Sequence, residues 1–415
     1  MSRIFEESHD LPLVDVEALI RAGHVDDPPG KEGLARHAVE LLRRGAGGRS
    51  RADVDAAFDA LGAEVSASHY ADGIAYSVRC LARNIEPTLA LLADVLFRPA
   101  LTDDEHARLV REGLAAIDDM RDDDATLATR YFERYALAGH PYGRTGLGTH
   151  DSLEALTRGD AAAWVARNVH AASLVVGFAG DIDGDRAEDL AAALVAASPT
   201  ARPLPPAPPA PAPGERRVIL VDKPDRAQAT VVIGHAAPPP AHPDAIALAV
   251  ACTAFGGTFT SRLVSEVRVK RGWSYSVGCR VTRARAGHTF RIRLVPSVER
   301  AIDALALVGD LYAAFAATGP TDEEVEFARS YLVGSHAFDV ATAADRLERR
   351  IEAALWDLPP DHHLTVVGRV ARVTPDEVRA AARRWLRPEA SVTTVVASAD
   401  SIELAGAEVV PYDSY

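Results

Sequence analysis

The chain has 415 residues, 48% of them hydrophobic and 25% charged, with a formal net charge of −14. That balance excludes disorder along the whole length and leaves room for roughly two to four domains. So acidic a chain repels a nucleic-acid backbone, and no nucleic-acid partner is expected.

Cys80, Cys252 and Cys279 are too few and too widely spaced for a disulfide framework or a cysteine zinc site, and they fit a reducing cytoplasm. No uninterrupted apolar run reaches the ~18 residues of a membrane span, so no membrane is expected. The first residues carry early acids instead of a basic-then-apolar leader, so no secretion signal is read there.

In chain order, Ile74–Cys80 reads as a strand and Glu86–Phe97 as the amphipathic helix after it. Leu101-Thr-Asp-Asp-Glu105 is a helix start, with Thr102 as cap and acids in the first turn. Thr157 opens another helix, which leads to the apolar run Ser173–Asp181. Half of the 16 residues from Ser198 to Pro213 are proline, a composition that favours extended polyproline II and a semi-rigid spacer. Beyond it, Gly256-Gly257 reads as a tight turn between helices, since it lacks the spacing and the Lys-Ser/Thr of a phosphate loop. Thr289–Val295 alternates as a strand does, and Val298–Phe315 reads as the helix following it.

The signals then recur. Pro320-Thr-Asp-Glu-Glu324 repeats the first cap, Thr374 repeats Thr157, and Ser391–Asp400 repeats Ser173–Asp181, all at offsets of 217 to 219 residues. A near-constant offset argues for a duplicated domain. The fold class expected is α+β: two homologous domains, each with helices packed on a mostly antiparallel sheet. The expected boundaries are residues 1–198, a Pro-rich linker at 199–216, and residues 217–415.

Several segments carry a family resemblance by their order and spacing. They are Gly33-Leu-Ala-Arg-His-Ala-Val-Glu-Leu-Leu-Arg-Arg-Gly45, Phe58–Ala63, His140-Pro-Tyr-Gly, Gly256-Gly-Thr-Phe-Thr-Ser-Arg-Leu263, and Glu266-Val-Arg-Val-Lys-Arg-Gly-Trp-Ser-Tyr-Ser276. Together they resemble the M16 peptidases, the pitrilysin, insulinase and mitochondrial-processing-peptidase group, in its shorter two-domain bacterial branch. The resemblance implies the LuxS/MPP-like metallohydrolase fold. In active members a helix carries His-x-x-Glu-His; two histidines one turn apart hold zinc, and the Glu is general base for the metal-bound water.

Set in that register, the two histidine positions fall on Arg36 and Glu40, the base on Val39 and the third ligand on Ala116. No ligand and no base is kept. Arg36 and Glu40, one turn apart, are placed to form an ion pair, and a guanidinium repels a dication. No catalytic zinc is therefore expected in this chain. A shifted site using His37 and Glu40, helped by Asp118 or Asp119, falls short of the usual three protein ligands.

In the second half the resemblance implies a role for Arg268 and Tyr275, which in the family face the zinc across the substrate chamber. The Tyr hydroxyl would stabilise the oxyanion of a tetrahedral intermediate, and the Arg would grip a substrate carbonyl. The competing reading is an Arg paired with a nearby carboxylate and a half-buried Tyr. Arg271 is a weaker candidate. The stretch from Ser66 to Val78 offers either an exposed edge for peptide addition or an ordinary sheet strand.

The expected function is the non-catalytic subunit of a heterodimeric zinc metallopeptidase. Its partner is an M16 subunit with an intact His-x-x-Glu-His that carries the zinc, and its substrate is a peptide or small unfolded protein. The alternative is a catalytically inert scaffold or peptide-binding protein of the same fold, for example in natural-product peptide maturation.

Overall fold

A computed structural model describes residues 4–199, 206–212 and 214–414. Much of the proline run, where polyproline II is expected, lies outside the described residues.

The chain forms two compact units. The first comprises Met1–Ile117, Arg144–Ala207 and Ala337–Leu364; the second comprises Asp118–Gly143, Pro208–His336 and Thr365–Tyr415. Each unit includes a stretch from the opposite half of the sequence, so the units do not coincide with the segments on either side of the linker.

The strands, in chain order, are β1 (Ile4–Glu7), β2 (Leu13–Ile20), β3 (Gly45–Ala46), β4 (Arg49–Ser50), β5 (Glu64–His69), β6 (Ile74–Leu81) and β7 (Leu174–Gly180), then β8 (Arg217–Asp222), β9 (Thr230–Ala236), β10 (Val277–Val281), β11 (Thr289–Leu294), β12 (Val392–Ala397) and β13 (Glu408–Pro411). In the first unit the main sheet runs β1-β7-β2-β6-β5. Only β1 and β7 pair in parallel. The central strand β2 buries Val14, Val16, Ala18 and Ile20 completely, the alternation of a strand with one face on a core.

In the second unit the sheet runs β10-β11-β9-β12-β8-β13. Read from β8 to β10, this repeats the order of the first sheet, with β13 added beside β8. The repeated caps are present too. Thr157 and Thr374 each accept a hydrogen bond from the amide three residues on. Thr102 and Thr321 do the same for Glu105 and Glu324.

The exchange of segments has a packing reason. A sheet with two apolar faces needs cover on both. On the first sheet, the helix Ala343–Leu355 lies across β7, β1 and β2, with Leu347, Ile351 and Leu355 packed among Ile4, Leu19, Ala75 and Ala179. On the second, the helix Asp124–Ala136 lies across β12 and β9. These two helices begin 219 residues apart, the same offset as the other repeats. Each comes from the opposite half of the sequence.

Two helical stretches, Ala245–Val269 and Val298–Thr318, are long and apolar enough to cross a bilayer. Neither is an uninterrupted apolar run; in the second stretch Glu299, Arg300, Asp303 and Asp310 break it up. Both stretches contribute to the second unit's core, including Ala247, Leu248, Phe255, Ala301, Val308 and Phe315.

Candidate functional site

The first candidate locus is the helix Leu34–Leu42. Gly33 precedes it at φ +91°, where a Cβ would lie 2.9 Å from the Leu147 carbonyl oxygen. The helix start is satisfied from a distance: the buried Asp27 carboxylate accepts the Gly33 amide at 2.9 Å and the Ala35 amide at 2.8 Å. Burial pushes the Asp27 carboxyl up to about 7 against those bonds.

On the more exposed side, Arg36 Nε donates to Glu40 Oε1 at 2.7 Å, so the expected ion pair is formed. His69 at the end of β5 places Nε2 3.6 Å from the same Glu40 oxygen. Burial outweighs this carboxylate and holds His69 below its usual pKa. Val39 is fully buried, and its carbonyl accepts the Tyr76 hydroxyl at 2.6 Å. Ala116 is half-buried on the helix Asp103–Asp122 and offers only a methyl group.

His37 is buried and turned to a different partner. Its Nε2 lies 2.8 Å from His106 Nδ1. Burial, then the neighbouring His106 and Arg44, lower its pKa to about 4. Asp118, invoked for a shifted site, pairs with Arg121 at 2.9 Å. Among the described residues, no group of three or more His, Cys, Asp or Glu side chains could hold a metal ion.

The second locus is in the second unit. The helix Ala245–Cys252 widens into a π-helical turn, Thr253–Gly257. Gly256 and Gly257 lie within that turn, and the expected tight turn is replaced by a wide one. Glycine is needed at 256 by a close approach: a Cβ there would sit 2.8 Å from the Cys279 amide of β10. A second π-helical turn, Ser265–Val269, carries Arg268.

The loop beyond it is fixed by its backbone. The Gly272 amide donates to the Arg268 carbonyl at 3.1 Å, and the Trp273 amide to the Val267 carbonyl at 3.1 Å. Gly272 takes φ +64°. Ser274 is buried; its hydroxyl donates to the Ser276 carbonyl and accepts from the Val295 amide, both at 2.8 Å. With Ser274 pinned inward, Tyr275 stands out, 80% exposed.

Arg268 and Tyr275 are brought together: the guanidinium carbon lies 4.1 Å from the centre of the Tyr275 ring. It also lies 4.9 Å from the centre of the Phe259 ring, itself 73% exposed. Neighbouring cations are paired within the fold. Arg262 pairs with Glu324 at 2.6 Å, and Glu266 takes both Lys270 and, at 2.6 Å, Arg271. Among the described residues, neither the Arg268 side chain nor the Tyr275 hydroxyl has a hydrogen-bond or ion-pair partner. The competing structural reading of this pair, a salt-bridged Arg and a half-buried Tyr, is not what is found. Arg271 has the structural role instead. Phe259 was not singled out from the sequence; an aromatic two residues past a Gly pair carries no sign of exposure.

The stretch from Ser66 to Val78 divides. β5 is the edge of the first sheet, whereas β6 pairs on both sides.

Two family models match successive stretches: Insulinase (Peptidase family M16) over residues 4–150 and Peptidase M16 inactive domain over residues 155–332. An uncharacterized zinc protease of Mycobacterium leprae is 30% identical over 339 residues, which span 78% of this chain and 74% of that protein. The chain belongs to the M16 peptidase family. A second uncharacterized zinc protease, from Streptomyces coelicolor, is 29% identical over 387 residues, 89% of this chain and 82% of that one. Among solved structures, a peptidase M16 inactive domain from Pseudomonas fluorescens superposes with a TM-score of 0.90 at 26% identity, covering 96% of each chain. These likenesses support the expected pair of M16 domains of mixed helix and sheet.

Proposed function

We propose that this chain is the non-catalytic subunit of a two-subunit M16 metallopeptidase. It supplies Arg268 and Tyr275 and half of a peptide chamber, and an M16 partner with an intact His-x-x-Glu-His supplies zinc and the general base. The observation that carries the reading is the division between the two loci. Where the family motif would hold metal stand Arg36, Val39 and Glu40, with the two charged side chains bonded to each other. Where substrate would be held stand an unpaired guanidinium and an exposed phenol. An Arg without a carboxylate partner, beside an outward-facing Tyr, suits a group kept for a ligand. The relatives named zinc proteases make peptide hydrolysis the natural chemistry of the assembly. Three cysteines without disulfides suit a reducing cytoplasm.

The test is reconstitution. The chain is co-expressed with an M16 chain bearing His-x-x-Glu-His, purified as a complex, and assayed on unstructured peptides. Cleavage is expected from the pair and not from this chain alone. Arg268→Ala and Tyr275→Phe in this subunit are expected to lower kcat by about 10²-fold, the cost of losing a donor at a developing charge. Full cleavage by a complex carrying both substitutions favours the inert scaffold instead.

A further inference from the structure

We propose that Arg268 is a carboxylate-reading site, held ready by Phe259 and Tyr275, and that it selects peptides carrying an acidic side chain or a free C-terminal carboxylate. The inference rests on the reading of this chain as a substrate-binding subunit and adds a substrate class to it.

Three observations carry it. The first is charge. Of the four cations between Arg262 and Arg271, three have a carboxylate partner within the fold: Arg262 has Glu324, and Lys270 and Arg271 share Glu266. Arg268 has none, and because one carboxylate serves two cations the cluster keeps an excess of positive charge that an anion would offset.

The second is geometry. A guanidinium presents its five N–H donors in its own plane, as a fork matched to the two oxygens of a carboxylate. A peptide carbonyl has one oxygen and uses only part of that fork. The carbon of the Arg268 guanidinium lies 4.1 Å from the Tyr275 ring centre and 4.9 Å from that of Phe259. The two ring contacts hold the group without using a hydrogen-bond acceptor, and they limit the rotamers it samples before binding.

The third is exposure. Phe259 and Tyr275 are 73% and 80% exposed, in a segment whose backbone is otherwise tightly bonded. Two large aromatic side chains left in water, one before and one after the helical stretch that carries Arg268, form a recognition surface with that cation.

Titration calorimetry on the full-length chain tests the proposal with three decapeptides of otherwise identical neutral sequence. One has a central Glu and an amidated C-terminus; one has Gln there and a free C-terminus; one has Gln and the amide. At least one of the first two is expected to bind about tenfold more tightly than the third, as a charge-assisted bidentate pair would require. Which one does so identifies the source of the carboxylate. Arg268→Lys, which keeps the charge and loses the fork, is expected to remove most of that preference. Phe259→Ala is expected to weaken carboxylate binding a few-fold with the melting temperature unchanged.

Equal affinity for all three peptides, no binding of any, or a preference that survives in Arg268→Lys overturns the proposal. Equal binding that is lost in Arg268→Ala does so while leaving the subunit reading intact. That reading stands or falls separately, on cleavage by the reconstituted complex.

Discussion

Arg36 Nε and Glu40 Oε1 lie 2.7 Å apart, one turn from each other on the helix Leu34–Leu42, at the two positions where the M16 motif would place histidines. The pair puts one positive and one negative side chain on that face. A dication placed there would be repelled by the guanidinium as well as attracted by the carboxylate.

The pair holds little of the fold together. Its side chains are 40% and 29% exposed, so water and salt screen it. A double-mutant cycle with Arg36→Ala and Glu40→Ala is expected to give a coupling of about 0.3–0.5 kcal/mol in urea denaturation, as for other helical pairs one turn apart. Zinc analysis after incubation with the metal and gel filtration is expected to find far less than one zinc per chain. Stoichiometric zinc, with cleavage by this chain alone, would restore a self-sufficient peptidase.

The exchanged helices make a different prediction. Leu347 belongs to the second half of the sequence yet is buried in the first unit's core. Leu347→Ala is expected to cost about 2–5 kcal/mol, the usual range for a cavity of that size. Gly177→Ala attacks the same contact from the sheet, since a Cβ there would lie 2.5 Å from Leu347 Cδ1 and 3.0 Å from Ile4 Cγ2. Overpacking of that kind costs about 1–3 kcal/mol. A fragment of residues 1–198 lacks the helix Ala343–Leu355 and is expected to bind a hydrophobic dye and melt without cooperativity. A cooperative, dye-free fragment would show that the helix is dispensable.

Acid should weaken the protein through histidines held neutral by burial. His37 and His235 are pushed down to about 4, and His288 to about 3. A lowered histidine contributes stability that is full above its unfolded value of 6.5 and lost as pH falls through its folded value. For His37 that loss is on the order of 3 kcal/mol by pH 4. His37→Gln should therefore flatten the fall in urea stability between pH 7 and pH 4. Glu17 has the opposite sign: burial raises it to about 7 from 4.5. Its contribution is full below 4.5 and lost as pH rises through about 7, so Glu17→Gln should stabilise the chain at pH 8 and change little at pH 4. An unchanged pH profile in either variant refutes that assignment.

The parts of this molecule legible in the sequence are those set by local chemistry. Thr157 and Thr374 announce their helices because a hydroxyl cap and the acid three residues on act within one turn. Arg268 and Tyr275 could be picked out together because they lie seven residues apart, on one helical turn and the short loop that follows it. The destinations of Asp124–Ala136 and Ala343–Leu355 were not legible. An amphipathic helix records that it has an apolar face and not which sheet the face will meet. Phe259 was missed for a related reason: its importance lies in being left exposed beside Arg268, a tertiary fact with no periodicity of its own.

The exchanged helix Asp124–Ala136 also carries a charge into the second unit. Its Glu133 accepts a hydrogen bond from Arg291 on β11 at 2.6 Å. Arg291 is only 8% exposed; its Nε also donates to Thr289 Oγ1 at 2.9 Å. Burial lowers the Arg291 pKa, and Glu133 partly restores it. Such a pair is weak evidence for net stability, because desolvation of two ions consumes much of their attraction. Removing one member is another matter, since it leaves a cation buried with no counter-charge. Glu133→Ala is thus expected to destabilise by about 3–5 kcal/mol in urea denaturation, whereas the double substitution Glu133→Leu with Arg291→Met should recover most of the loss. If the single substitution cost less than about 1 kcal/mol, the contact would behave as an exposed pair and Arg291 would have found water. If the double variant were as unstable as the single one, the pair would be needed for the helix to seat on β9 and β12, and charge alone would not explain its presence.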